Sequence, residues 1–312
     1  MRLVTYRAAR ALRTGVLVDD IVVDADQLGQ AAGASRSGAG ALSARRILAM
    51  TPGERAEIAA AAAHAARTGS GVVGDLGDVE LGPPVPAPEK IFCIGLNYRD
   101  HSAETALPVE SVPTIFAKFR NALVGSRSAI VLPPTSREVD FEGELAMVIG
   151  RRGKHIAREQ ALSHVGGYMP FNDVSARDLQ MVTSQWTAGK VADTFGPCGP
   201  ALVLCDEVAD PHALRIETRV NGETLQSAST ADMIFGIAET VSYISQLVTL
   251  EVGDIISTGT PAGVGYTRKP PIFLAAGDVV EVEIEGLGVL QNPVVAADFP
   301  PGAAAEEGAR AA

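Results

Sequence analysis

Acidic side chains at two-residue spacing are the strongest chemical signal in this sequence. Asp140, Glu142 and Glu144 lie in the segment 138–150, whose second half is apolar and ends at a glycine. That pattern predicts a β-strand, along which alternate side chains share one face. Three like charges on one face repel each other, so a cation is expected to compensate them. The alternative is an acidic, solvated end of a strand.

A fourth acid, Asp173, lies in the segment 170–178, which is predicted to be a loop that runs into a helix. Two carboxylates from the acidic strand and one from a nearby loop would form an all-oxygen metal site. Mg²⁺, Mn²⁺ and Ca²⁺ prefer such ligands, whereas zinc sites are usually built with histidine and cysteine.

An imidazole and a carboxylate are also placed to interact. His101 and Glu104 follow a short buried strand predicted at 91–95. If Asp100 caps a short helix, His101 and Glu104 lie three residues apart on one face and can touch. The pair would couple a base to an acid. The alternative is an incidental pair on a surface helix.

Composition limits the class of partner. The chain has 312 residues, of which 46% are hydrophobic and 20% are charged, as in a globular protein with one large domain or a large and a small one. The net charge of -11 and the pI of about 5.0 disfavour nucleic acid and anionic membrane as partners. A small-molecule ligand is the expectation that remains.

Cysteine usage indicates a reducing compartment, and hydropathy predicts no membrane helix. Cys93, Cys198 and Cys205 fall in no C-x-x-C or zinc-site spacing, so all three are predicted to be small buried apolar residues. No apolar run approaches the roughly 20 residues that a membrane helix needs. The start of the chain lacks the apolar core of a signal peptide, so the expected location is the cytoplasm.

A proline-rich segment, 82–88, predicts a division of the chain, because each proline fixes its φ angle and removes a backbone donor. Residues 1–82 are predicted to form a small α+β domain. The pattern from residue 88 onward is mostly β, and 88–299 are predicted to form the larger domain. The residues 300–312 are predicted to be a disordered tail.

Local patterns predict elements whose bounds can be tested. Strands are predicted at 3–6 and 15–18, which form a hairpin, and at 255–258 and 279–284, with a hairpin turn at Asn221–Gly222. Helices are predicted after Ser43, after Thr51 with Glu54 in a capping box, and after Ser229 or Thr230. The last helix would bury Ile234, Ile237, Val241, Ile244 and Val248.

The glycine-rich loop 259–265 leaves a predicted strand and could cradle an anion with its backbone N–H groups. It matches neither the dinucleotide-binding motif nor a Walker loop, which disfavours a nucleotide ligand. The sequence also lacks G-x-S-x-G and H-E-x-x-H, which weakens a serine-hydrolase or zinc-peptidase interpretation.

Taken in order, several motifs resemble the fumarylacetoacetate hydrolase family across roughly residues 88 to 296. The motifs are GLNYRDH at 95–101, DFEGEL at 140–145, GGY at 166–168, NDVSARDLQ at 172–180, GK at 189–190, NGE at 221–223 and TGTPAGVG at 258–265. One such motif is weak, but the full series in sequence order is specific.

The resemblance implies an α+β, mostly β fold, a mixed β-roll or sandwich with short helices, which assembles as a homodimer. It implies a Mg²⁺ or Mn²⁺ ion held by Glu142, Glu144 and Asp173, and it makes the leading domain similar to that of longer bacterial members. Gly143 departs from the pattern, since many relatives carry an apolar residue there. Glycine leaves the shared face of the two glutamates unchanged, so the metal site is still expected.

The family's substrates are β-dicarbonyl acids or their enols, and the resemblance implies roles for single residues. Glu104 would orient His101, which would deprotonate a water that attacks the distal carbonyl. Lys190 would stabilise the developing oxyanion, and the ion would act as a Lewis acid on the 2-oxo acid. Substrate-binding groups are implied at Arg177, Gln180 and Thr260.

Without the family, each of these residues has a simpler interpretation. Arg177 could pair with Asp178 or Asp173, Lys190 could be a solvated surface charge, and Thr260 could be an ordinary turn residue.

The function expected from the resemblance is hydrolysis of a C–C bond in an acylpyruvate such as fumarylpyruvate, in aromatic or carboxylic acid catabolism. An alternative is an isomerase, tautomerase or decarboxylase that acts on a 2-hydroxymuconate-type dienoate or on oxaloacetate. The presence of both His101 and Glu104 favours hydrolysis. A further alternative, a catalytically silent binding protein, would be favoured if an acid of the metal trio were missing, and none is.

Overall fold

The computed structural model of the protein describes residues 1–31, 41–105 and 110–298. The tail predicted at 300–312 lies outside these residues. The fold is mixed α+β and rich in strands, with few and short helices, as predicted.

The strands are numbered along the chain. They are β1 (Arg2–Ala8), β2 (Ala11–Val18), β3 (Ile21–Asp24), β4 (Val72–Asp75), β5 (Leu81–Gly82), β6 (Ile91–Gly95), β7 (Thr114–Lys118), β8 (Leu123–Val124), β9 (Ile130–Leu132), β10 (Val139–Asp140), β11 (Gly143–Ile149), β12 (Val165–Asn172), β13 (Ser175–Ala176), β14 (Gly196–Pro197), β15 (Leu202–Leu204), β16 (Arg215–Val220), β17 (Glu223–Ser229), β18 (Ile255–Ser257), β19 (Val279–Ile284) and β20 (Gly288–Ala296).

The α-helices are α1 (Ala25–Ala31), α2 (Ala44–Leu48), α3 (Pro52–Thr68), α4 (Arg99–Thr105), α5 (Arg177–Gln180), α6 (Thr187–Lys190) and α7 (Ile237–Leu247). Short 3-10 helices cover Arg120–Ala122, Arg158–His164, Cys205–Glu207 and Thr230–Asp232.

Among the described residues, two sheets make up most of the fold. The larger has 11 strands in the order β4-β3-β2-β1-β15-β12-β11-β18-β6-β7, with β5 paired to β1. The smaller has five strands in the order β17-β16-β19-β20-β9, and two-stranded pairs form between β10 and β13 and between β8 and β14. Strand β11 lies inside the larger sheet and packs against β16 of the smaller one.

The predicted hairpin at the start of the chain is confirmed by β1 and β2, which pair along their full length from Arg2↔Leu17 to Ala8↔Ala11. Strand β1 also pairs with β15, with Leu3 opposite Leu202. The strands before the proline-rich segment therefore continue the sheet of the strands after it. The division into two domains stays a prediction.

Two predicted helix starts in the first 82 residues are confirmed. The Ser43 side chain accepts a hydrogen bond from Arg46 N at the start of α2. Thr51 and Glu54 form the reciprocal capping box of α3, with Pro52 at its first position. Each cap satisfies backbone N–H groups that have no partner within the helix.

The predicted turn at Asn221–Gly222 is confirmed between β16 and β17. Both residues have positive φ, 52° and 82°, which a two-residue hairpin turn of this kind requires and which Asn and Gly tolerate.

The acidic segment 138–150 is not one strand, which corrects the expected shared face of three acids. Strand β10 pairs with β13, whereas β11 pairs with β12 and β18, and the chain changes partner at Phe141 and Glu142. Asp140 is thereby separated from the two glutamates, and it has a different partner.

The helix expected after Ser229 begins later than predicted. Ser229 caps only the 3-10 turn Thr230–Asp232, and α7 starts after Gly236. Ile237, Val241 and Ile244 are buried on its inner face as predicted, whereas Ile234 and Val248 lie outside the helix. The prediction for the cysteines holds for Cys93 and Cys198, but Cys205 is only partly buried.

Candidate active site

Three carboxylates converge at the junction of β10, β11 and β12. One oxygen each of Glu142, Glu144 and Asp173 lies within 4.8 Å of the others, and all three side chains are buried. Asp173 follows β12 and donates its backbone N–H to the carbonyl of Glu142, 2.8 Å away. Asn172 Oδ1 accepts from Glu142 N at 3.0 Å. The antiparallel pair β11–β12 thus brings the three acids together.

This cluster fits a hard divalent cation. Its donors are carboxylate oxygens only. Burial raises the pKa of Glu144 well above its ordinary value, and the charges of Asp173 and Glu142 add to the effect. A cation at this point would relieve that repulsion.

Gly143, the departure from the family pattern, has a steric reason. A Cβ at this position would meet Thr218 Oγ1 on strand β16 at less than van der Waals distance and would lie 3.3 Å from Val282 Cγ1. The two sheets approach each other closely between the two glutamates, and the glycine makes this approach possible.

Lys190 lies among the three acids and is not a solvated surface charge. Its Nζ donates to Glu142 Oε2 at 2.7 Å and to Asp173 Oδ2 at 3.0 Å. Burial lowers the pKa of Lys190, but Asp173 and Glu142 outweigh it, and the pKa is raised overall. Lys190 therefore stays protonated at the end of α6.

Lys118 is a second buried cation, and the sequence reasoning missed it. Its Nζ lies 2.7 Å from Asp173 Oδ1. It also donates to the carbonyl oxygens of Val174, Lys190 and Phe195 at 2.9, 2.6 and 2.7 Å. The signal in the sequence is a lysine that follows the apolar residues 115–117 at the end of β7, and that pattern is common at strand ends.

Arg177 has neither of the partners considered from the sequence. Its Nε and Nη2 lie 2.9 and 2.8 Å from Asp140 Oδ2, and its Nη1 lies 2.7 Å from Glu142 Oε1. Nη1 also donates to Gln180 Oε1 at 3.0 Å. Asp178 instead accepts from Ser136 Oγ at 2.6 Å. Arg177 thus links Asp140 to Glu142 and so to the cluster of three acids.

The glycine-rich loop 259–265 does bind anions, but these are the protein's own carboxylates. Gly259 N donates to Glu144 Oε2 at 2.9 Å, and Gly263 N donates to Glu104 Oε2 at 3.0 Å. Gly265 N donates to Asp140 Oδ1 at 2.8 Å. One loop therefore orients acids from three different segments.

The predicted contact between His101 and Glu104 is present. His101 Nδ1 lies 2.8 Å from Glu104 Oε1 within α4, whose first turn contains Asp100 instead of being capped by it. Burial alone would raise the pKa of Glu104. The hydrogen bonds from His101 and Gly263 lower that pKa by more than burial raises it, so the pKa is lowered overall. The carboxylate stays ionised and can hold a hydrogen on Nδ1, which leaves Nε2 as the basic nitrogen.

These groups border one cavity. Seven of the nine predicted site residues line it: His101, Glu142, Glu144, Arg177, Gln180, Lys190 and Thr260. Glu104 and Asp173 do not line the cavity, but they contact His101 and Lys190, which do. Sequence reasoning missed the rest of the wall, chiefly Phe116, Met181, Trp186 and Tyr266.

Two aromatic rings of the wall contact buried cations. The guanidinium of Arg177 lies 4.4 Å from the ring centre of Tyr266, and Lys190 Nζ lies 4.8 Å from that of Phe116. Such contacts favour the charged forms of both side chains. The Thr260 hydroxyl donates to Gly143 O at 3.0 Å and accepts from Gln226 Nε2 at 2.8 Å.

No helix among residues 1–31, 41–105 and 110–298 is long and apolar enough to cross a membrane. The cytoplasmic location and the homodimer stay predictions.

Known proteins resemble this chain over much of its length. The family model "Fumarylacetoacetate (FAA) hydrolase C-terminal" matches residues 90–295. The mitochondrial oxaloacetate tautomerase FAHD2A of Bos taurus is 55% identical over 214 residues, which cover 68% of this chain and 68% of the bovine protein.

Solved structures extend the similarity over nearly the whole chain. Fumarylacetoacetate hydrolase from Exiguobacterium antarcticum is 34% identical with a TM-score of 0.76, covering 95% of this chain and 100% of that one. Maleylpyruvate hydrolase from Sphingobium sp. SYK-6, in complex with manganese(II) and pyruvate, is 31% identical with a TM-score of 0.76, covering 96% and 100%. The chain belongs to the fumarylacetoacetate hydrolase family.

Proposed function

We propose that this protein is a divalent-metal-dependent tautomerase that interconverts the keto and enol forms of oxaloacetate or of a closely related short 2-oxo dicarboxylic acid. The observation that carries the proposal is the position of the acids Glu142, Glu144 and Asp173 in the same buried site as Lys190 and His101. The bovine relative, named as an oxaloacetate tautomerase, supports this substrate over longer ones.

Glu142, Glu144 and Asp173 would hold the ion, as Mg²⁺ or Mn²⁺. When bound, it would act as a Lewis acid that favours negative charge on the 2-oxo oxygen of the substrate. The charges of the buried site suit this arrangement. Four carboxylates, with Asp140 included, face three cations, Lys118, Arg177 and Lys190. These seven groups together carry one excess negative charge. A bound divalent ion would change it to one excess positive charge, which favours an anionic substrate.

His101 is the group that would move the proton. Its Nδ1 is held by Glu104, so Nε2 can accept a proton from C3 of the keto form. The electron pair of the C3–H bond then becomes the C2–C3 double bond, and the 2-oxo oxygen takes the negative charge. Lys190, which stays protonated, stabilises that oxygen. The proton that His101 took from C3 is then passed to the same oxygen, which completes the enol and returns His101 to its neutral form. The reverse sequence regenerates the ketone.

Arg177, Gln180 and Thr260 stay proposed as substrate-binding residues. All three line the cavity, although their own contacts are within the protein. Arg177 presents a rigid fork to Asp140 and Glu142, so it would act on a substrate carboxylate mainly through its charge.

The proposal is tested with purified protein, Mn²⁺ and oxaloacetate. The decay of enol absorbance and the exchange of C3 protons with deuterated solvent should both accelerate well above the rate with Mn²⁺ alone, with no pyruvate released beyond that control. The Glu142→Gln protein serves as the matched control and should match the rate of the metal alone. Equal rates for the native protein and the metal control would refute the tautomerase.

A second candidate, hydrolysis of a C–C bond in an acylpyruvate, keeps the same site. Two observations favour it: the His101–Glu104 contact, which could activate a water, and the similarity to maleylpyruvate hydrolase. The same assay with acylpyruvates separates the two functions, because hydrolysis releases two carboxylic acids whereas tautomerisation conserves every carbon.

A further inference from the structure

Trp186 forms an apolar wall of the active-site cavity. Its ring meets Phe116 edge to face, with 5.6 Å between the ring centres and an angle of 72° between the planes. On another side it lies against Gly95, the last residue of β6. All three residues line the cavity.

The indole of Trp186 fits in its position because residue 95 has no side chain. A Cβ at Gly95 would lie 2.9 Å from Trp186 Cη2 and closer still to Cζ3. The φ of Gly95 is not positive, so the backbone does not demand glycine there. Strand β6 is fixed by pairing on both edges, with β18 and β7. The strand cannot easily move away, and the absence of a side chain lets the indole occupy this position.

The wall stands close to the polar end of the cavity. Trp186 directly precedes α6, the helix that carries Lys190. Lys190 Nζ lies 4.8 Å from the centre of the Phe116 ring, and that ring in turn contacts Trp186. The Phe116 ring therefore contacts both a cation of the charged cluster and the indole. A 2-oxo acid held at that cluster would extend into the same cavity that the indole lines.

Trp186 precedes α6 as its cap residue but makes no capping hydrogen bond through its side chain. The preceding residues, from Met181 to Gln185, are exposed, whereas the indole is partly buried in the cavity wall.

We propose that Trp186 is a specificity-determining residue, which restricts the cavity to 2-oxo acids with a short substituent beyond C3, and that Gly95 provides the space for its ring. This inference rests on the proposed function, because it assumes that the substrate's 2-oxo acid end lies at Glu142, Glu144 and Lys190.

The test measures binding by calorimetry to the full-length, Mn²⁺-loaded protein, with pyruvate as the small acid and 2-oxo-4-phenylbutyrate as the large one. In Trp186→Ala, and in Trp186→Leu as a second variant that keeps more of the packing, the affinity ratio should shift toward the large acid by roughly tenfold or more. Val182→Ala is the matched control, because Val182 lies in the same segment, is 73% exposed and does not line the cavity. Its ratio should equal that of the native protein.

A double-mutant cycle tests the role of Gly95. Gly95→Ala should weaken pyruvate binding by displacing the indole, and Gly95→Ala combined with Trp186→Ala should bind pyruvate as well as Trp186→Ala alone. If Gly95→Ala weakened pyruvate binding equally in the native protein and in Trp186→Ala, the steric contact between residue 95 and the indole would not explain the loss.

The sequence has a single tryptophan, so its fluorescence reports on this wall in the native protein. Saturation with pyruvate should change the emission of Trp186. An unchanged affinity ratio in both Trp186 variants, with native tautomerase activity intact, overturns the size restriction alone. Failure of the native protein to bind either acid overturns the proposed substrate class as well.

Discussion

Lys118 Nζ lies 2.7 Å from Asp173 Oδ1, with neither side chain exposed to solvent. Asp173 also contacts Lys190, so one carboxylate of the cluster is shared by two cations. Lys118 Nζ also donates hydrogen bonds to the backbone carbonyl oxygens of Val174, Lys190 and Phe195. Val174 is next to Asp173 in the chain, so these bonds hold the segment of Asp173 against the other two. The position of Asp173 is therefore set by the protein before any ion binds, which reduces the reorganisation that binding would require.

Replacing Lys118 should destabilise the metal-free protein strongly. Lys118→Met leaves Asp173 with one cation and three carbonyls without their donor, and loss of one partner of a buried ion pair costs about 3 to 5 kcal/mol. Chemical denaturation measures the loss. Lys154→Met, at an exposed lysine, is the control and should change stability by about 0.5 kcal/mol or less. Similar losses in the two variants would show that the Lys118 network contributes little.

Substitutions of Glu142 and Glu144 should have opposite effects on the stability of the metal-free protein but the same effect on its metal affinity. Among residues 1–31, 41–105 and 110–298, no lysine or arginine forms an ion pair with Glu144. Its pKa is raised by burial and by Asp173 and Glu142, so its charge opposes folding at neutral pH. Glu144→Gln should therefore stabilise the metal-free protein. Glu142→Gln should destabilise it, because Lys190 and Arg177 lose a charged partner.

Both variants should lose Mn²⁺ affinity, by at least tenfold, since each removes a charged oxygen ligand. Calorimetry gives the affinity and thermal unfolding in EDTA gives the stability. Native Mn²⁺ affinity in both proteins would exclude these glutamates as ligands.

The cluster of three acids could be predicted from the sequence, because Glu142 and Glu144 are two residues apart and Asp173 follows in a recognisable motif. The expected strand face was wrong for Asp140. Its separation depends on the change of strand partner at Phe141, which arises from pairing with a segment more than 30 residues away, β13. Local periodicity contains no information about such a partner.

Other parts of the site needed the structure. Lys118 belongs to the site only because β7 lies at the edge of the sheet, beside α6 and Asp173. Trp186 looks like any aromatic residue in a polar segment until its contact with Gly95 is seen. In contrast, Ser43 and Thr51 were predicted correctly as helix caps, since a cap depends on three or four consecutive residues.

Removal of the metal should abolish catalysis reversibly. EDTA should inactivate the protein, and Mg²⁺ or Mn²⁺ should restore activity better than Zn²⁺, because the cluster offers carboxylates and no histidine or cysteine. Enol decay after dialysis and readdition of each ion gives the order. Full activity of protein shown by elemental analysis to be metal-free would contradict metal dependence.

Glu104 should make a pH-dependent contribution to stability. Its folded pKa is lowered, so its contribution is present above the unfolded value of about 4.3 and is lost as the pH falls through the folded value. The difference in melting temperature between the native protein and Glu104→Gln should therefore shrink below about pH 4. Glu110→Gln, at an exposed glutamate, is the control for the general effect of charge. A difference that stays constant with pH would show that the carboxylate is not stabilised in its ionised form.

The role of His101 distinguishes the two enzymatic functions. If His101 exchanges the C3 proton, His101→Ala should lower oxaloacetate tautomerisation and C3 exchange together, by roughly 10²- to 10⁴-fold, the usual contribution of a general base. Exchange followed by NMR and pyruvate release followed by a coupled assay can be measured on one sample. If His101 instead activates a water, the variant should still exchange C3 protons of an acylpyruvate while releasing little pyruvate. Unimpaired exchange and unimpaired cleavage would remove the His101–Glu104 pair from either mechanism.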